Sequence, residues 1–128
     1  MPIQTIVPKG SAPPLAPYSP GAKGGNWVFT SGVLALDRDG KVVGAGDVAR
    51  QTRHVLESIK SIIEAAGGSL ADVVMNQIFL KDMADYAAMN KVYGEFFPKN
   101  PPARYCVAAG LVKPEFLVEI ASIACLKA

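Results

Sequence analysis

Arg104 and Glu119 are the two side chains of this sequence that could bind an anion and move a proton. Glu119 stands alone in an apolar stretch, Phe116 to Leu126, with Leu117, Ala121, Ile123 and Cys125 on its own alternation row. Burying an unpaired carboxylate is costly, so such a group finds a partner or holds its proton with a raised pKa. A structural alternative is a strand-end Glu that reaches solvent or pairs with an arginine. Arg104 follows Pro101-Pro102, which force an extended approach to the strand Arg104 to Ala108. A guanidinium fixed at a strand start can grip a carboxylate through parallel hydrogen bonds. The structural alternative is a surface residue or the internal partner of Glu119. Cys106 points to the same side of its strand as Arg104. It could act as a nucleophile, but nothing adjacent in sequence supplies an activating base. His54, the single histidine, lies off the apolar stripe of its helix and reads as solvated surface. Cys125 reads as core.

These residues need elements to position them. Residues 1–25 are rich in Pro and Gly and read as loop after a short edge strand at Gln4 to Val7. Trp27 to Thr30 and Val33 to Leu36 read as strand segments, and Asp39-Gly40 signals a turn before Lys41 to Val43. Asp47 caps a long helix ending at Gly67-Gly68, with Val48, Thr52, Val55, Ile59, Ile62 and Ala66 as its apolar stripe. Val73 to Leu80 is a strand. Asp82 caps a second helix that Pro98 stops, and its Tyr86, Met89, Tyr93, Phe96 and Phe97 read as core. The order is β-β-α-β-α-β-β, with room for the early edge strand.

Both rows of the last strand are mostly apolar, so it should be central and covered on both sides. Two helices cover one face of a small sheet. The other must then be closed by another copy of the chain, which predicts a homo-oligomer.

Composition narrows the function classes. The 128 residues form a single predicted domain, 50% hydrophobic and 19% charged. A net charge of +2 argues against nucleic acid as a partner, since its binders concentrate basic residues in patches. No window is apolar enough to span a membrane, and MPIQTIVPKG lacks the pattern of a signal peptide. Two cysteines are too few for a disulfide framework and point to a reducing, cytoplasmic setting. One histidine and two cysteines do not make a zinc deaminase, whose signature needs H-x-E and P-C-x-x-C. Gly44-Ala45-Gly46 matches neither G-x-G-x-x-G nor a P-loop. No metal and no cofactor are expected.

Pro101-Pro102-Ala103-Arg104, Cys106 and Val118-Glu119-Ile120-Ala121 resemble the reactive intermediate deaminase (Rid) family. The resemblance runs from about residue 4 to 126, through Ala16-Pro17-Tyr18-Ser19-Pro20-Gly21, Thr30-Ser31-Gly32, Glu64-Ala65-Ala66-Gly67-Gly68 and Asn90-Lys91-Val92-Tyr93. Gln51-Thr52-Arg53-His54-Val55-Leu56-Glu57 and Gly110-Leu111-Val112-Lys113-Pro114 are most similar to the aminoacrylate-deaminating branch of pyrimidine degradation. The resemblance implies an α+β, chorismate-mutase-like fold: a mixed sheet with two helices on one face, closed into a trimeric barrel with sites between subunits. It also implies that Arg104 binds a substrate carboxylate, that Glu119 serves the hydrolytic water, and that Tyr18, Ser31, Gly32, Asn90 and Cys106 line the cavity. A second Glu found in other members is Ala121 here. The implied substrate is a small enamine or imine carboxylate, either 3-aminoacrylate or its 2-amino isomer. The rival classes are an endoribonuclease or translation inhibitor, and a non-catalytic carboxylate-binding or chaperone-like module.

Overall fold

A computed structural model describes residues 2–127. The strands are β1 (Gln4–Ile6), β2 (Gly21–Gly24), β3 (Trp27–Thr30), β4 (Val73–Leu80), β5 (Ala103–Ala108) and β6 (Val118–Cys125). The helices are α1 (Val48–Ala65) and α2 (Tyr86–Phe96). One mixed sheet runs β1-β2-β3-β6-β4-β5. β4 and β5 are parallel, and the other neighbours are antiparallel. The last strand in sequence is therefore central in space, as its two apolar rows require.

Burial separates the two rows of β6. Val118, Ile120, Ser122 and Ala124 are buried beneath the helices, in one core with Val28, Val55, Leu56, Ile59, Ile78 and Met89. Glu119, Ala121, Ile123 and Cys125 face the other way and are half-buried. On that uncovered side Trp27, Phe29, Tyr105 and Val107 remain 46, 49, 42 and 44% exposed. A monomer leaves this apolar face in water.

α1 begins where Asp47 accepts a hydrogen bond from the Arg50 backbone N–H. It ends as Gly67 takes the left-handed conformation that a C-terminal glycine makes cheap (φ 97°). Its buried face is wider than the sequence stripe, because Gln51, Leu56 and Ile63 are buried too. The buried Gln51 amide bridges the segment that leads into β6: it donates to the Glu115 carbonyl at 2.9 Å and accepts from the Leu117 N–H at 2.8 Å.

Three expectations need correction. Gly21–Gly24 is a strand rather than loop, joined to β3 by Gly25-Asn26. Gly25 has φ 57°, and a glycine in the first loop position suits a two-residue hairpin. Val33–Leu36 and Lys41–Val43 form only single bridges, Val33 to Ile120 and Leu36 to Val42. The Asp37 carboxylate there accepts from the backbone N–H groups of Asp39 and Lys41, curling the chain into a turn. Asp82 caps a 3-10 turn, Met83–Asp85, so α2 starts only at Tyr86.

Replacing Gln51 by Leu strands the Leu117 N–H and the Glu115 carbonyl, at a cost of roughly 1–3 kcal/mol per unsatisfied group. Urea unfolding of Gln51→Leu should show that loss; an unchanged midpoint would mean that water or another residue satisfies both groups.

Candidate active site

Arg104 is the second residue of β5, opposite Asn76 on β4. Its Nη2 donates to Asn90 Oδ1 at 2.7 Å and to the Tyr86 hydroxyl at 3.0 Å. The guanidinium lies over the Tyr93 ring, 4.7 Å from its centroid, and 5.6 Å from that of Tyr86. Every one of these partners is neutral. Among the described residues the ion pair is Arg53–Glu95, so Arg104 has no acidic partner. Its charge is oriented but not neutralised, and Nε and Nη1 keep donors free for an anion.

Tyr86, Asn90 and Tyr93 are spaced by four and three residues, which puts them on one stripe of α2 beside Arg104. Tyr86 is 40% exposed and serves this cluster, so the expectation of a purely core aromatic run fails for it. The spacing was available in the sequence, but core packing produces the same spacing.

Cys106 lies on the same side of β5 as Arg104 and packs against the core. Burial raises its thiol pKa, and the opposing pull of the Arg104 charge is smaller. The thiol is therefore a poor thiolate source.

Glu119 sits opposite Phe79 on β4. Its carboxylate packs directly on Gly32, where any β-carbon would collide with it. Gly32 is thus required by close approach. Burial raises the Glu119 pKa, so the carboxyl holds its proton further up the pH scale than usual.

Strand registry decides how these groups relate. Asn76 pairs with Arg104 on one side and with Ser122 on the other, so all three share the helix-covered face. Glu119 pairs with Phe79 and shares the open face. Arg104 and Glu119 are on opposite faces of the sheet, which removes the alternative of an internal Arg104–Glu119 pair.

Tyr18, Ser31 and Gly32 form a third group, in a cavity of about 330 Å³ between the 8–14 segment, the Leu36–Arg38 loop and α1. Arg104, Asn90, Cys106 and Glu119 are not in its lining. Tyr18 is 42% exposed, and its hydroxyl accepts from the Leu15 N–H at 3.4 Å. His54 lines this cavity and is not simply solvated: its Nε2 contacts the Leu36 carbonyl at 2.7 Å. The predicted residues therefore assemble as Arg104–Asn90–Cys106 and as Glu119–Gly32, with Ser31 and Tyr18 beyond Gly32.

A family model described as endoribonuclease L-PSP matches residues 9–126. The chain belongs to this family, to which its motifs point under the name reactive intermediate deaminase. It is 60% identical over 124 residues to the 3-aminoacrylate deaminase RutC of Acinetobacter baylyi, covering 97% of this chain and 98% of that protein. Among solved structures it is similar to Escherichia coli TdcF with bound serine (32% identity, TM-score 0.89, 97% of this chain and 99% of that one). It is also similar to the Rid-family protein YyfA of Yersinia pestis (28% identity, TM-score 0.89, covering 98% and 100%).

The Glu119 environment has a pH signature. Its pKa is raised above the usual 4.5, so the folded chain binds this proton more tightly than the unfolded one. Its stabilising effect is complete below about pH 4.5 and is lost as pH rises through the folded-state pKa. Wild type should therefore lose thermal stability relative to Glu119→Gln as pH increases from that point. Parallel melting curves of both proteins across pH would contradict it.

Proposed function

We propose that this protein is a 3-aminoacrylate deaminase, converting 3-aminoacrylate and water to malonic semialdehyde and ammonia. The observation that carries the reading is the uncompensated Arg104 guanidinium, fixed by Asn90, Tyr86 and Tyr93 with donors to spare. The 60% identity to RutC, a 3-aminoacrylate deaminase, supports the choice of substrate. That E. coli TdcF was solved with serine supports recognition of a small carboxylate within this fold.

Arg104 holds the substrate carboxylate. The enamine tautomerises to an imine: a proton is added at the carbon next to that carboxylate as one leaves the nitrogen. Glu119, with its raised pKa, can then take a proton from water as it attacks the imine carbon and return it to the departing ammonia. Bond balance is complete without a redox partner: a C–O bond forms, a C–N bond breaks, and one water is consumed. Cys106 acts by lining the site, and Ser31, Gly32 and Tyr18 shape the Glu119 side.

Arg104 and Glu119 can meet only if two chains contribute, one the Arg104 side and the next the Glu119 side. We infer a homotrimer closed on the apolar face of Trp27, Phe29, Tyr105 and Val107. The whole chain acts as one domain. No helix among the described residues is long and apolar enough to cross a membrane. The free thiols Cys106 and Cys125 suit a reducing, cytoplasmic setting. An RNA-cleaving role finds less support, since Glu119 has no acid-base companion on its row and the net charge is only +2.

Purified protein given freshly generated 3-aminoacrylate should accelerate ammonia release, and Arg104→Lys, which keeps charge but loses the planar fork, should fall steeply. A preference for 2-aminoacrylate would instead indicate a general imine deaminase. The reacting carbon of that isomer lies one bond, roughly 1.5 Å, nearer the carboxylate, enough to misplace it on the order of 10²-fold in rate. No acceleration with either isomer would favour a binding module.

Mixing tests the shared site. Arg104→Ala and Glu119→Gln chains, each inactive, should regain on the order of a quarter of the wild-type rate when co-assembled, as each site draws at random on two chains. No recovery in demonstrably mixed oligomers would place the site within one chain.

A further inference from the structure

A run of buried polar groups crosses the core beneath the sheet, and the reaction outlined above uses none of its middle members. The Thr30 hydroxyl donates to the Ser31 carbonyl at 2.8 Å and accepts from the Ser122 backbone N–H at 2.9 Å. The Ser122 hydroxyl donates to Asn76 Oδ1, and Asn76 Nδ2 donates to the Tyr93 hydroxyl at 2.9 Å. Asn76 is 0%, Ser122 1% and Tyr93 6% exposed. Beyond the hydroxyl, the face of the Tyr93 ring carries the Arg104 guanidinium.

Polar groups in the middle of β4 and β6 cost stability against apolar residues such as Ile78 and Ile120, buried beside them on the same face, unless each hydrogen bond is made. Here each buried side chain has its partner among the described residues. An apolar Asn76 would need no Ser122 hydroxyl and would leave the Tyr93 hydroxyl without a donor. Among the described residues the Tyr93 ring otherwise has the Arg104 guanidinium on its face and packing contacts, including Phe97 at 4.8 Å between centroids. The Asn76 bond pins the ring at its tip, and with it the plane on which the guanidinium rests.

We propose that Tyr93 and Asn76 are positioning residues for Arg104, and that the bonds from Thr30 through Ser122 to Asn76 set the plane of the Tyr93 ring and so the aim of the guanidinium. This rests on Arg104 being the substrate carboxylate clamp. Asn90 and Tyr86 hold one edge of the guanidinium, and Tyr93 holds its face. Loss of the relay leaves charge and edge contacts in place but loosens the face, so the effect falls on carboxylate binding rather than on proton transfer at Glu119.

The test compares Tyr93→Phe, which keeps the ring and removes the hydroxyl, with Ser122→Ala, which is a smaller change and does not touch Arg104. Each is measured as the assembled protein for KM and kcat on 3-aminoacrylate, for the Kd of 3-hydroxypropionate, and for thermal midpoint. Both variants should raise KM and Kd by roughly 3- to 10-fold, the scale of one net hydrogen bond, with kcat within about twofold of wild type. If both melt earlier but bind 3-hydroxypropionate as wild type does, the relay serves folding alone and the proposal fails. Should Tyr93→Phe not fold, Ser122→Ala decides by the same criterion. Arg104→Ala is the separate control: wild-type affinity for 3-hydroxypropionate in that variant would overturn the clamp itself, whatever Tyr93 does.

Discussion

The central position of β6 is the constraint on which the rest of the structure depends. Placed between β3 and β4, it buries Val118, Ile120 and Ala124 under α1 and turns Glu119, Ala121 and Ile123 to the opposite side. Strand alternation admits no compromise, because a one-residue slip would carry Glu119 into the helix-covered core and Ile120 out of it. The buried Gln51 amide secures the segment entering β6 by bonding on either side of Phe116, itself fully buried. One amide on α1 thus helps fix the phase of the strand that carries the carboxylate.

Two opposite charges are kept apart by that alternation, and each is left in need of something. Arg104 is surrounded by neutral acceptors and aromatic faces, which orient a cation without quenching it. Glu119 is pressed onto Gly32 and partly desolvated, which favours its neutral form. An intrachain salt bridge would satisfy both and leave nothing for a substrate. Their separation across the sheet prevents it, and the exposed Trp27, Phe29, Tyr105 and Val107 form the apolar surface on which the proposed assembly would bring the halves together.

Much of the scaffold was legible from local chemistry. The Asp47 cap, the Gly67 stop, the centrality of the last strand and the shared side of Arg104 and Cys106 follow from short-range rules, and all four are present. The β2–β3 hairpin was legible in principle, since Gly25-Asn26 is a turn pair, but the surrounding Pro and Gly masked it. Asn76 was likewise visible as an amide inside an apolar strand. Its partners, Ser122 at 46 residues' separation and Tyr93 at 17, were not.

The sequence by itself determined which residue types recur at periods of 2 and 3.6, and therefore which side chains share a face of their own element. That sufficed for Arg104 with Cys106, and for the isolation of Glu119 on its row. Only the tertiary structure decided which strands are neighbours and in what register, because pairing is set by long-range burial rather than by local pattern. The registry Asn76 to Arg104 and Phe79 to Glu119 placed the two charges on opposite faces. It also turned Tyr86 from a core aromatic into a ligand of Arg104, since a helix face acquires its role only from the strand that packs beside it.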